Sequence, residues 1–210
     1  MVDSPGKSTC LPRSPADNPF ATDGIDSLPA VLIHAEWSQL WERLDRLGGR
    51  ACIIGPEGSG KSTILRAMAC QAAHRGYRVW QGRCRCGRLR PAWGNGTFTA
   101  NDALFLDSVE QLSPRMWRLC QKWASCAGLA VVTCHQPCAW PVLYRTETSP
   151  DLLARLFELL AEPVDARLHA INCRLWHKYS GNLRLVFREW YERWSEGHPA
   201  ARFLQRKTAR

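Results

Sequence analysis

Apolar residues in this chain occur in two patterns, short unbroken runs and sets spaced three or four apart, and the switch between them marks out the elements. Residues 1–30, rich in Pro, Ser, Asp and Gly, have neither pattern and predict a mostly unstructured leader in which Asn18-Pro19-Phe20 stands out as an exception. Trp37, Leu40, Trp41, Leu44 and Leu47 then follow the i, i+3, i+4, i+7 spacing of an amphipathic helix over 34–47, which Gly48-Gly49 ends. The run 51–54 is short and wholly apolar, as a strand covered on both faces should be, and 63–73 continues as a good helix former. Beyond the turn at Gly76, a second strand is predicted over 77–81, followed by an arginine- and glycine-rich segment over 82–96. Residues 103–106 make a third strand ending in Asp107, and Ser113-Pro114 opens a helix with Met116, Leu119, Cys120 and Trp123 on one face. A fourth strand covers 128–132.

Strands alternating with helices predict a mostly parallel sheet with helices on both faces. A fifth strand at Val142–Arg145 follows the fourth after only about six residues, too few for a helical crossover, so it is expected to be antiparallel or displaced. Everything after it reads as helix: 149–160, 163–179 and 182–194, three short helices that predict a lid. The basic stretch 200–210 is expected to fray. The organisation predicted is a leader over 1–30, a core over 31–148, a helical lid over 149–199 and a tail over 200–210.

Composition narrows the class. A chain of 210 residues has room for one α/β core and a small appendage. Without a long apolar stretch or an apolar N-terminus, neither membrane insertion nor a secretory leader is expected, and the expected location is cytoplasmic. Ten cysteines, several in apolar segments, read as reduced and mostly buried thiols. The net charge of +9 and pI near 9.3 are compatible with nucleic acid, acidic protein or anionic lipid as partner. Of the ten tryptophans, Trp37, Trp41, Trp190 and Trp194 recur at helical spacing, which reads as packing.

The chemistry is concentrated between the first strand and the helix after it. Gly55, Pro56, Glu57, Gly58, Ser59, Gly60, Lys61 and Ser62 fit G-x-x-x-x-G-K-[ST], with Thr63 following in register, and the flanking strand and helix are the context that pattern requires. Such a loop turns backbone N–H groups toward phosphate oxygens at a helix N-terminus, where unpaired donors and the helix dipole favour negative charge. Lys61 would reach the β and γ phosphates and the Ser62 hydroxyl would ligate Mg²⁺, so ATP and Mg²⁺ are the expected ligands. Asp107 ends an apolar strand that, in a parallel sheet, opens on the side of this loop, and is the second candidate Mg²⁺ ligand. Glu110, three residues on, can swing to the same side as a general base or be a solvated acid near a helix start. Thr133 and His135 follow the fourth strand, positioned to sense the γ-phosphate or hold an attacking water. Arg184 lies in the first turns of the last helix; if that lid closes over the nucleotide, its guanidinium can pair with the γ-phosphate.

In this order, GPEGSGKST, LFLDSVE, VVTCHQP and SGNLR resemble the Walker A, Walker B, sensor 1 and sensor 2 elements of the AAA-like branch of the P-loop ATPases, over about residues 49–188. The resemblance implies a three-layer P-loop NTPase fold with a mostly parallel central sheet and a small C-terminal helical lid. It also implies Mg-ATP hydrolysis coupled to conformational change in a protein or nucleic-acid partner. Thr133-x-His135 is also similar to the switch histidine of ABC-type ATPases, and Pro19-Phe20 lies where related ATPases carry segments flanking adenine. The chain departs from the family where Ser108 replaces the glutamate that usually follows Asp107. The short fourth-to-fifth connection also leaves Arg145 as an arginine finger by location alone. A non-hydrolysing ATP-gated interaction module is the alternative, and a small-molecule kinase a third reading for which no acceptor motif is present.

Two side readings remain. Cys84, Cys86, Cys134 and Cys138, with His135, offer soft ligands for a tetrahedral zinc site. Arg83, Arg85, Arg88 and Arg90, near Trp80 and Trp93, offer a basic and aromatic surface for single-stranded nucleic acid, or a solvated loop.

Overall fold

A computed structural model describes residues 14–90, 93, 97–162, 165–201 and 204–206. Parts of the expected leader, arginine-rich segment, second lid helix and tail therefore lie outside the described residues. In chain order the elements are α1 (Thr22–Asp26), α2 (Trp37–Arg46), β1 (Arg50–Ile54), α3 (Lys61–His74), β2 (Arg78–Arg85), β3 (Arg88–Arg90), β4 (Asp102–Asp107), α4 (Pro114–Cys126), β5 (Leu129–Cys134), β6 (Val142–Arg145), α5 (Pro150–Leu160), β7 (Ala161–Glu162), α6 (Ala166–Lys178), α7 (Leu183–Ser195) and β8 (Gln205–Arg206). They form two compact units, one over 29–148 and one joining 1–28 to 149–210.

The unit 29–148 is α/β, with a six-stranded mixed sheet in the order β3-β2-β4-β5-β1-β6, parallel except for the β2-β3 pair. Its strands divide their side chains between two cores by simple alternation. Ala51, Ile53, Phe105 and Val131 face α2 and α3 through Leu40, Trp41, Leu44, Ile64 and Met68. Cys52, Ile54, Leu104, Leu106 and Val132 face α4 through Cys120, Trp123 and Ala124. Both faces being covered explains why these strands read as unbroken apolar runs. Ser113 caps α4 by accepting the Met116 N–H at 3.3 Å, with Pro114 at the first helical position.

Two expectations about strands are refined. The strand β6 is displaced, as one alternative had it, to the far side of β1 from β5, but it is parallel to β1 and not antiparallel, with Val142 opposite Cys52 and Arg145 opposite Ile54. Cys52 is also level with Val132 of β5. The connection 135–141 therefore climbs back only part of a strand's length while passing over β1, and needs no helix. The second strand does not stop at residue 81. It runs to Arg85 and turns back as β3, with Gly82, Cys84 and Leu89 buried and the intervening arginines exposed. Charge at every second position concealed a period-two pattern.

The other unit packs α5, α6 and α7 around an aromatic core. Phe20, in the stretch that stands out as the exception within the leader, is 1% exposed and its ring lies 5.1 Å from Phe157, 5.9 Å from Trp190 and 6.4 Å from Phe187. Asn18 fixes this segment by donating to Tyr191 O at 3.1 Å and accepting the Phe20 N–H at 3.0 Å. So enclosed, Phe20 has no ring face to offer adenine. The described residues of the tail are also built in. Leu204 is buried, its carbonyl accepts the Trp194 indole N–H at 3.0 Å, and β8 pairs with β7. Caps begin each helix: Ser149 for α5, Asp165 for α6 and Asn182 for α7. Among the described residues no helix is long and apolar enough to cross a membrane.

Two outcomes test these packing arguments. Phe20→Ala should cost about 3–5 kcal/mol of stability in urea denaturation, whereas a disordered leader would leave the midpoint unchanged. Asp102, fully buried at the start of β4, accepts from Arg78 at 2.5 and 2.9 Å, from the Trp80 indole at 2.7 Å and from Thr99. The Arg78 guanidinium holds its carboxyl well below the usual range, against burial. Its contribution is therefore complete above the unfolded value near 3.8 and is lost as pH falls toward the lower folded value. Urea midpoints measured from pH 6 to pH 2 should fall less steeply for Asp102→Asn than for the wild type.

Candidate functional site

The loop between β1 and α3 is shaped by its glycines and held by a threonine from β6's end. Gly55 has φ 150° and a Cβ built there would lie 2.1 Å from Thr146 Oγ1, while Gly60 at φ 90° opens α3 in the left-handed region with nothing crowding it. Thr146 donates its N–H to Ile54 O at 2.8 Å and its hydroxyl shares a 2.6 Å hydrogen bond with that of Ser59. Ser59 Oγ also lies 2.7 Å from Pro56 O. Pro56 and Glu57 are exposed, and Gly58, at φ 70°, Ser62 and Thr63 are half-buried. Lys61 is buried, with Nζ donating to Gly55 O and Pro56 O, each at 2.7 Å. Burial lowers the pKa of this amine, and the negative charges of Glu110 and then Asp107 oppose that shift.

Asp107 is the meeting point of four elements. Its carboxylate, at the end of β4, accepts the Ser62 hydroxyl from α3 at 2.9 Å to either oxygen. It also accepts the Thr133 hydroxyl from β5 at 2.6 Å and Arg83 Nε from β2 at 3.4 Å. Thr133 is fully buried and its Oγ1 also accepts the Ser108 N–H at 2.8 Å. Ser108 sits at φ 62°, ψ 52°, a left-handed step that turns the chain sharply after Asp107 into a 3₁₀ turn over Val109–Gln111. That turn brings Glu110 Oε1 to 3.2 Å from His135 Nε2. Glu110 and His135 are thus neighbours.

Two sequence-derived arginines complete the set of candidates. Arg145 is exposed at the end of β6, and Arg184 is exposed in the first turn of α7, in the other compact unit. Thr146 and the Arg83–Asp107 contact escaped sequence reasoning. Thr146's only signal was a small polar residue after a strand, and Arg83 was hidden within a run of arginines.

The cysteine grouping changes. Cys84 is buried beside Leu89, its thiol pushed up to about 12 by burial, while Cys86 is exposed at the hairpin turn. Cys134 and Cys138 instead gather with Cys52, the three sulfurs within 4.8 Å of one another. Thiol hydrogen bonds from Cys134 and Cys52 hold Cys138 well below the ordinary range, against burial. Three soft ligands result, whereas a structural zinc site takes four; His135, paired with Glu110, is not in this group. The expected aromatic surface also changes. Trp93 is buried with Phe98 and Trp123, and Trp80 packs on Trp93 and Phe98 with its indole N–H on Asp102.

Removing the Thr133 hydroxyl tests the arrangement at Asp107. Thr133→Val should cost about 1–3 kcal/mol in urea denaturation, because a buried carboxylate oxygen and the Ser108 N–H lose their shared partner, and Thr133→Ser should recover most of it. No protein-family model matches the chain, and no curated protein matches its sequence.

Proposed function

We propose that the unit over 29–148 binds ATP with Mg²⁺ as a P-loop ATPase of the AAA-like branch and couples hydrolysis to a conformational change in a macromolecular partner. The observation carrying this reading is the Ser62 hydroxyl against both oxygens of Asp107, 2.9 Å to each, one residue after the buried Lys61. A hydroxyl and a carboxylate are the hard oxygen donors that Mg²⁺ takes, so Ser62 and Asp107 would hold it. When bound, the ion would neutralise charge between the β and γ phosphates.

The chain's own residues supply the rest. Backbone N–H groups over Gly58–Lys61 would face the phosphates, and Lys61 would exchange its two carbonyl partners for phosphate oxygens, regaining as ion pairing what burial takes from it. Glu110, held by His135, would accept the proton of the attacking water, and Thr133 would fix Asp107. A cytoplasmic setting belongs to the same proposal, supported by the nine described cysteines, all free. One observation favours the non-hydrolysing alternative: Ser108, beside Asp107, spends its N–H on Thr133 and carries no base.

ATP turnover and binding of a fluorescent ATP analogue separate the two. Wild-type turnover should exceed that of Lys61→Ala, which should also lose analogue binding. Glu110→Gln should lower turnover by about 10²–10⁴-fold with binding kept. Wild-type turnover at the Lys61→Ala level, with binding intact, selects the non-hydrolysing module. Absence of analogue binding by the wild type overturns both.

A further inference from the structure

The hairpin of β2 and β3 carries an arrangement that folding alone does not favour. Arg83 lies opposite Arg90 and Arg85 opposite Arg88, and the pair between them, Cys84 and Leu89, is buried. Residues directly opposite in an antiparallel ladder share a face, and so do residues two apart along a strand. All four arginines therefore project from one exposed face, with Gly82, Cys84 and Leu89 sealed on the other. Like charges directly opposed destabilise a ladder. Charge on an edge strand does discourage unwanted strand pairing. That purpose would be met by β3 alone, which is the edge, and does not account for arginines facing it from β2, an inner strand. Nor do acidic neighbours offset the charge. Arg83 has Asp107 at 3.4 Å with its side chain 64% exposed, and Arg85, Arg88 and Arg90 have no ion pair among the described residues.

We infer that this face binds the sugar–phosphate backbone of duplex DNA. Four forked guanidinium donors gathered on one exposed face suit charge-assisted hydrogen bonds to the phosphates of a nucleic-acid backbone. Of the aromatic rings that a single strand would need for base stacking, Trp93 is buried and Trp80, half-buried, packs on Trp93 and Phe98 with its indole N–H given to Asp102. Recognition is consequently of backbone and independent of sequence. The face also ends at Asp107 through Arg83, so it borders the proposed nucleotide site without depending on it.

The test is fluorescence anisotropy of a labelled random-sequence duplex between 20 and 200 mM salt. Arg85→Gln/Arg88→Gln/Arg90→Gln should flatten the slope of log affinity against log salt by about 2.7, three phosphate contacts at 0.9 each, and weaken binding by roughly 10²–10³-fold at 0.1 M. The corresponding triple lysine variant should keep the slope. The thermal midpoint of the glutamine variant should be at or above that of the wild type, since only repulsion is removed. Lys61→Ala should bind duplex as the wild type does, so failure of the ATP reading leaves this result standing. An unchanged slope in the glutamine variant, tighter binding of single strands than of duplex, or equal binding of polyglutamate overturns the inference.

Discussion

The geometry of the sheet unit hangs on one buried carboxylate. Asp107 closes β4 at 9% exposure, where an ionised group is costly unless every oxygen is engaged. Its partners come from three other elements: Ser62 from α3, Thr133 from β5 and Arg83 from β2. Satisfying it therefore draws the start of α3, the end of β5 and the arginine hairpin to one point. Thr133 then passes the constraint on by accepting the Ser108 N–H, which stabilises a left-handed residue and so fixes where Glu110 emerges.

The second unit is organised by a different physical term. Its centre is the burial of aromatic rings, Phe20 among Phe157, Phe187 and Trp190, and it recruits both ends of the described chain. Asn18 and Asp23 on one side, and Leu204 and Arg206 on the other, close around α5, α6 and α7. Large rings yield enough buried area for a small helical unit to hold a non-periodic segment in place. The described part of the leader, around Asn18–Phe20, is thus ordered by what it meets, not by its own propensity.

Much of the fold was legible because local rules and global packing agreed. The apolar runs at 51–54 and 103–106 became β1 and β4, and the Ser-Pro pairs at 113–114 and 149–150 became capped helix starts. The glycine loop, Asp107, Glu110, Thr133 and His135 were each named from motif and spacing. The misreadings share a cause. Over 82–90, alternate arginines masked a hairpin; at Cys134 and Cys138 the partner was Cys52, 82 and 86 residues away in sequence, which no local spacing could reveal. For β6 an antiparallel direction stood open beside a displaced one because crossover length was judged against a full strand.

By itself, then, the sequence determined most of the element types, the two-sided burial of the sheet and the glycine loop with a carboxylate-ended strand beside it, since these follow from periodicity and motif. Only the tertiary structure decided the direction of β6, the capture of Phe20, the pairing of Glu110 with His135, the third cysteine and the common face of four arginines. Each of these depends on strand register or on a contact between distant segments, and register is set by how whole faces pack rather than by any residue's own preference.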